Sequence, residues 1–534
     1  MERQVEGTTR TLDEALALEL RIRPSARVAV IAERPRAAHA SLLPGLATED
    51  VAMVRSDRSL DRMHAQLTAR GPYDLILDAG GPGATERFRR FLFHAAPGRA
   101  YVIKEPQDDL RSLLSALSQE AEADGTPATA RQRDRRVLRR SIGQTEWGRN
   151  YLLARNTANP LSTVPDRLIN RAIGGGRLTG EVLDRVPGAQ LKSQGSISVR
   201  CGTLLRQQPD TYDAPALHLR EWSDVVCRPR QIAVQSGVLL PASIAVRSRG
   251  RLGHHLLEPW APGFVGRPPD EESRDLPGRW YYLDNQVRGH FGHAISEQLS
   301  MTWGWQRAQE IDPSTRVLVG SRAGAPVADW ELQLLEAAGI SREMVHVAET
   351  PVRVESLVTA TPLMCRPDYV HPELAPRYDE IGASLSARGS AGPTPRRIFF
   401  SRRPGNRSCH NAAAVETRHR EAGFEILHPE DLPLPEQVRL VRQAEVIAGF
   451  AGSGIFHIAL AGSPKHVIVI GSESYHVQNE QMFAAALGHR LELFLCRPDV
   501  PRGKRFESRS FHSAFTFDFE QDGRSLDRVL DGLG

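Results

Sequence analysis

Arg397-Ile-Phe-Phe-Ser-Arg-Arg403 is a short apolar run that delivers two arginines to its carboxyl end. Further on, Ala444-Glu-Val-Ile-Ala-Gly-Phe-Ala-Gly-Ser-Gly-Ile-Phe-His-Ile-Ala-Leu-Ala-Gly462 reads as strand, glycine turn and short helix, closed by Gly462 with Pro464 just beyond. Helix, strand and helix patterns fill the interval, and Val467-Ile-Val-Ile470 is one more buried strand. The span from Arg396 to Ser472 therefore reads as a nucleotide-binding type of α/β half-domain. Open α/β sheets bind ligands outside the carboxyl ends of their strands, so Arg402 and the turn Ala451-Gly-Ser-Gly454 are expected to share one crevice.

Such a crevice suits an anion. Glycines let the backbone come close, free N–H groups at a helix start carry partial positive charge, and arginine adds a planar two-pronged grip on phosphate. Gly452 and Gly454 serve close packing of helix on strand equally well, and both readings stand at this point.

Working outward, Ser390-Ala-Gly-Pro-Thr-Pro395 has the composition of a hinge. Before it, from Trp280, strand and helix patterns alternate again, with a helix expected from about Gly289 to Glu310. His293 and Glu297 stand four apart on that helix, hence on one face. A histidine beside a carboxylate is the arrangement of a general base with an orienting partner; the same spacing also describes a plain surface pair. His290 does not turn the cluster into a zinc motif, because Ala294 and Ile295 stand where H-E-x-x-H needs other residues, and no metal site is expected.

Between about 156 and 280 the short runs Ile197-Ser-Val199, Ala216-Leu-His-Leu219, Ile232-Ala-Val234 and Ile244-Ala-Val246 form a β-rich layer assigned to the lobe that follows. Residues 119–155, with Glu120-Ala-Glu-Ala-Asp-Gly-Thr-Pro127 and the basic run Arg131-Gln-Arg-Asp-Arg-Arg136, read as linker and surface helix. Residues 1–118 alternate short strands and helices, as in a parallel sheet. Tyr73-Asp-Leu-Ile-Leu-Asp78, a helix and Pro97-Gly-Arg-Ala-Tyr-Val-Ile103 resemble the later half of a class I methyltransferase fold. The first strand, however, leads into Ala32-Glu-Arg-Pro35 without the family's glycine loop. Asp78-Ala-Gly-Gly-Pro-Gly83 and Glu105 are the substitutes on offer, and a degenerate, non-catalytic Rossmann-like domain is the expectation. The fold class is thus α/β: two facing Rossmann-like lobes, 156–392 with its β-rich part and 393–500. The additional 1–118 domain precedes them, and a tail, 501–534, packs back.

A chain of 534 residues exceeds what one core supports. Basic and acidic residues nearly balance, 68 against 64, so no field directs it to nucleic acid. Almost every basic residue is arginine, the lysines being Lys104, Lys192, Lys465 and Lys504, and a coding bias of that kind lowers the weight of any single arginine. The five cysteines are scattered, without C-x-x-C spacing, so neither a disulfide framework nor a zinc site is expected. No apolar run reaches 18 residues and no signal-type segment opens the chain. A cytoplasmic location is the default, with peripheral association at the inner face of the membrane left open.

Taken in order, Gly292-His293 with Glu297, Phe400-Ser-Arg402, Asn411, Gly423-Phe-Glu425, Pro435-Glu-Gln437, Ala444-Glu-Val-Ile-Ala-Gly449 and Gly452-Ser-Gly454 resemble glycosyltransferase family 61 and its bacterial capsular-polysaccharide relatives. The resemblance spans roughly 160–500. It implies a GT-B-like architecture and inverting transfer of a sugar from a nucleotide diphosphate donor to a saccharide or glycoconjugate hydroxyl. Envelope or capsular polysaccharide synthesis is the implied setting, with the nucleotide sugar as co-substrate and no further cofactor. It implies His293 as base oriented by Glu297, and a donor side of Arg402, Arg407, Asn411, Gln437, Gly452, Ser453, Gly454 and His457. The chain departs from the family's His-Gly-Ala-Gly turn, followed by Asn, at Ala451-Gly-Ser-Gly454 and His457, and from its Asn-Glu pair at Asn411-Ala412. His457 then either takes over a polar role or faces the core. Those departures, with the additional N-terminal domain, support a second reading as a non-catalytic nucleotide-sugar or glycan-binding scaffold; a methyltransferase acting through the first domain is a third.

Overall fold

The computed structural model describes residues 5–21, 26–119, 129–244, 246–248, 251–254, 256–503 and 506–533. It is a mixed α/β structure with three large sheets.

In the first sheet Val28–Ala32, Val51–Arg55, Tyr73–Asp78 and Ala95–Lys104 run parallel. Every residue of Val28–Ala32 is buried, as expected of a parallel strand covered on both faces. The sheet does not stop at residue 118. Ile142–Trp147 and Tyr151–Asn156 form an antiparallel hairpin, and its second strand lies against Ala95–Lys104. The 119–155 segment, expected as linker and surface helix, thus holds the helix Ala130–Ser141 and two sheet strands. The reason is burial: Tyr151, Leu152, Leu153 and Ala154 all sit in the core, and the basic helix sets Val137 and Leu138 into it as well. The break expected at Glu120 to Pro127 lies outside the described residues.

The second sheet has ten strands and mixed direction. Its long member Leu217–Arg228 runs antiparallel to Val352–Ala360, which is parallel to Arg274–Tyr282. Arg316–Gly320 and Val345–Ala348 continue the parallel edge. Two of the runs assigned to this β-layer lie elsewhere. Ser196–Cys201, which contains Ile197-Ser-Val199, is an edge strand of the third sheet, parallel to Arg490–Cys496. The ion pair of Arg200 with the fully buried Glu492 at 2.6 Å anchors it there. Pro241–Ser243 is a helical turn and Val246–Ser248 pairs with Arg251–Gly253 in a separate hairpin; Ala245 lies outside the described residues.

The third sheet is all parallel, in the order Ser196–Cys201, Arg490–Cys496, His466–Ser472, Val446–Phe450, Arg397–Phe400, Glu425–Leu427. One face packs on Leu526, Val529 and Leu530 of the helix Phe519–Asp531, with Phe515 and Phe517. The other face joins the largest core, where Ile398, Ile447, Ile455 and Leu460 meet Ala294, Ile295 and Leu299. Those last three belong to a helical segment from Phe291 to Ile311 whose pitch changes along its length. It is a wide π-type turn over Ala294–Gln298, tightens over Leu299–Gly304 and becomes α-helical over Trp305–Ile311. That core contact brings the start of the segment against the glycine turn of the third sheet.

Candidate active site

The turn itself is built by two neighbouring strands. Arg397–Phe400 and Val446–Phe450 lie side by side, with Phe400 opposite Gly449, so Ser401-Arg402 and Ala451-Gly452 leave the same sheet edge together. Arg402 Nη1 donates to the Ala451 carbonyl at 2.8 Å. Gly452 has a φ of 151°, and a Cβ added there would lie 3.0 Å from Arg402 Nη1 and 3.8 Å from Arg407 Nη2. Glycine at this position therefore admits two guanidinium groups to the backbone of the turn. Among the described residues neither arginine forms an ion pair with a carboxylate. Burial and then the charge of Arg407 depress the Arg402 pKa, as expected of two like charges held together without a partner. Arg407 is steadied instead by aromatic faces, its guanidinium lying 4.7 Å from the Tyr475 ring centroid and 5.3 Å from that of Phe511. Arg403, at the same strand end, is already engaged by Asp431 at 2.7 Å.

Across from the turn, His293 Nδ1 and Glu297 Oε1 are 2.8 Å apart. With a carboxylate as partner Nδ1 carries the proton, which leaves Nε2 as a base. The imidazole is 30% exposed and the carboxyl 11%, so the base can be reached while its partner is held. His290 packs edge-on to His293 at 5.1 Å. Desolvation, then His293 and Arg407, push the His290 imidazole down to about 4, so it is neutral at neutral pH and feels the arginine across the gap.

Beside the turn opens a cleft of about 640 Å³, lined by Phe291, Asp329, Trp330 and Gln333 together with Arg402, Gly452 to Gly454 and His457; His293 and Glu297 do not line it, although Phe291, two residues before His293, does. His457 is buried beneath it. Its Nδ1–H donates to the Gly454 carbonyl at 2.7 Å, its ring stacks on Phe291, and Nε2 has no partner. Burial pushes its pKa down to about 4. Gln437 also lines the cleft, but its amide donates to the Leu432 carbonyl at 2.7 Å and braces the loop entering its own helix.

Asn411 is not at this cleft. Its Nδ2 donates to the Phe517 carbonyl at 2.8 Å and its Oδ1 accepts from the Phe517 N–H at 3.0 Å, so both ends of the amide tie down the C-terminal segment. The structure thus gathers Arg402, Arg407, Gly452, Ser453, Gly454 and His457 about one turn, pairs His293 with Glu297 outside the lining of the cleft, and sends Asn411 elsewhere. Phe291, Asp329, Trp330 and Gln333 were missed by sequence reading. The spacing of Asp329 and Gln333, one helical turn apart with Trp330 beside them, was the available signal.

At the corresponding strand ends of the first sheet a buried ion pair occupies the glycine loop. Asp78 accepts from Arg87 Nε and Nη2 at 2.8 Å each and from the Tyr101 hydroxyl at 3.0 Å. Arg87 also donates to the carbonyls of Gly80 and Pro82 at 2.7 Å. A guanidinium fills the glycine loop from within.

Residues 291–469 match the Glycosyltransferase 61 family model. The matched third of the chain begins at Phe291 and takes in the base pair, the arginines and the whole glycine turn, and it supports a glycosyltransferase. No curated protein sequence matches the chain. Among solved structures, the iron-containing dodecameric glycosyltransferase TibC from enterotoxigenic E. coli H10407 overlays at 11% identity, covering 62% of this chain and 99% of that one, with a TM-score of 0.25. The TibC heptosyltransferase in complex with ADP-D-beta-D-heptose gives 11% identity, 51% and 81% coverage and a TM-score of 0.24. The MycE methyltransferase from the mycinamycin biosynthetic pathway gives 16% identity over 32% of this chain, which spans 56% of that protein's length, with a TM-score of 0.22. Overlays at these scores carry no argument about fold or chemistry. No helix among the described residues is long and apolar enough to cross a membrane.

Proposed function

We propose that the chain is an inverting, metal-independent glycosyltransferase that moves a sugar from a nucleotide diphosphate donor to a saccharide or glycoconjugate hydroxyl, in envelope or capsular polysaccharide synthesis. In this reading residues from about 156 to 392 and 393 to 500 act as two GT-B-like lobes. The observation that carries it is the pair Arg402 and Arg407 at the glycine turn, which among the described residues form no ion pair with a carboxylate, in a chain that also sets His293 against Glu297. The acceptor oxygen attacks the anomeric carbon while the bond from that carbon to the diphosphate oxygen breaks. The hydroxyl proton passes to His293 Nε2, and the charge released on the diphosphate meets the two guanidiniums and the N–H groups of Gly452 to Gly454. One displacement at one carbon inverts its configuration. Metal-using sugar transferases commonly present an Asp-x-Asp triplet to the bridging cation, and this sequence has none. Ala451, where the family places a histidine, favours one rival: a scaffold that binds the nucleotide sugar without turning it over.

Calorimetric titration with UDP, GDP and ADP, and turnover of their sugars, test the proposal. Arg402→Ala is expected to weaken nucleotide diphosphate binding and slow turnover, Arg402→Lys to rescue only in part because a point charge lacks the two-pronged fork, and excess EDTA to change neither. Binding without turnover identifies the scaffold. Activity lost to EDTA and restored by manganese removes the metal-independent assignment.

A further inference from the structure

The wall of the cleft opposite the arginines is a second, differently built surface. Helix Asp329–Ala337 presents Asp329, Trp330 and Gln333 to the opening. The helix is locked in rotation from behind, where buried Glu331 meets Arg288 Nε at 2.8 Å and Arg288 in turn holds the Gly320 carbonyl at 3.0 Å. Trp330 is half-buried, and Phe291 packs edge-on against it at 5.6 Å and 65°. Gln333 Nε2 donates to Asp329 Oδ2 at 2.6 Å, which fixes the amide orientation and leaves Oε1 without a partner among the described residues. Asp329 is also bonded to Arg342 at 2.6 Å. The result is an aromatic face flanked by a carboxylate and an amide oxygen, all of them acceptors, in the cleft that also holds Arg402 and the glycine turn.

We propose that Trp330, Gln333 and Asp329 form the acceptor subsite, an aromatic platform for an uncharged saccharide ring whose hydroxyls donate to Gln333 Oε1 and Asp329. The inference rests on the transferase reading above. A sugar ring has an apolar face for the indole and an excess of O–H donors for unpaired acceptors, and a buried acceptor without a donor is costly until one arrives. Arg402 and the N–H groups of the glycine turn suit the phosphate-bearing substrate, and the aromatic part of the cleft, where Asp329 is already paired with Arg342, suits the neutral one.

The full-length protein and its Trp330→Ala, Trp330→Phe and Gln333→Leu variants are compared by saturation-transfer NMR and titration. The probes are methyl glycosides of gluco, galacto, manno and rhamno configuration, with UDP, GDP and ADP as a separate set. At least one glycoside is expected to bind the parent protein, roughly tenfold more weakly to Trp330→Ala and Gln333→Leu, the loss of about one well-made contact. Trp330→Phe, which keeps the packing and an aromatic face, falls between, and nucleotide affinity stays unchanged throughout. Loss of nucleotide affinity in Trp330→Ala with glycoside binding intact would make the indole a base platform and overturn the proposal. So would a parent protein that binds nucleotides but no glycoside. A parent protein that binds no nucleotide removes the transferase reading itself, and the acceptor assignment with it.

Discussion

Phe291 stacks on His457 with ring centroids 4.4 Å apart and planes inclined by only 24°. One residue opens the helical segment that carries His293; the other belongs to the helix that follows the glycine turn. The contact therefore joins the segment that carries His293 directly to the glycine turn. It also keeps the imidazole out of water, and burial pushes its pKa from 6.5 down to about 4.

A pH signature follows from that depressed value. Below 6.5 the unfolded chain takes up a proton at this histidine and the folded chain refuses it until about 4, so stability present at neutral pH is lost as pH falls through that window. Other buried histidines add the same trend, so the variant isolates this one: His457→Phe is expected to show a shallower loss of stability between pH 6.5 and 4 in urea titrations. An unchanged slope would show that His457 is solvated in the folded chain.

His293→Ala is expected to lower turnover by about 10² to 10⁴ while nucleotide diphosphate affinity stays near that of the parent. Glu297→Gln keeps a hydrogen-bond partner but loses the charge that stabilises the imidazolium, and should fall between. Steady-state rates with direct titration of the nucleotide separate the two effects. Parent-level turnover in His293→Ala would return the pair to a surface contact.

Glu480 is buried, one carboxyl oxygen has no partner among the described residues, and burial pushes its pKa from 4.5 up to about 7. The folded chain then keeps the proton that the unfolded chain has released, and stability declines as pH rises from 4.5 to 7. Glu480→Gln is expected to melt higher than the parent at pH 8, with the advantage vanishing near pH 4. Equal melting temperatures at pH 8 would mean that nearby Arg366 and Arg407 already hold the carboxylate ionised.

Asp78→Asn leaves Arg87 charged and enclosed, since these side chains are 0% and 3% exposed. Breaking a buried pair from one side costs about 3 to 5 kcal/mol, which denaturant unfolding would register. Nucleotide binding at the distant cleft should not change. S-adenosylmethionine is not expected to bind, because Arg87 fills the loop it would need; micromolar binding by calorimetry would contradict this.

Local features of the site were legible in the chain because they depend on near neighbours. The four-residue spacing of His293 and Glu297 produces their hydrogen bond even though the intervening turn is π-type rather than α-helical. The strand, glycine turn and helix from Val446 to Leu460 follow from an apolar run, two glycines and the cap at Gly462. Arg402 beside the turn follows from the rule that neighbouring parallel strands deliver their carboxyl ends to one edge.

What lay beyond the sequence depends on partners far along the chain. Asn411 was assigned to the donor side by pattern, yet its amide closes on Phe517, 106 residues away. Ser196–Cys201 joins the third sheet through Arg490–Cys496, and the strands after residue 141 complete the first sheet, because backbone pairing obeys no local signal strong enough to announce its partner. Arg87 filling its loop and Trp330 sharing a cleft with Arg402 are likewise results of packing. By itself the sequence determined which short elements form and which chemical groups their ends carry, since propensity, capping and spacing act over a few residues. Only the tertiary structure decided which ends meet, because burial of apolar faces and satisfaction of buried polar groups are settled among surfaces that the chain brings together only on folding.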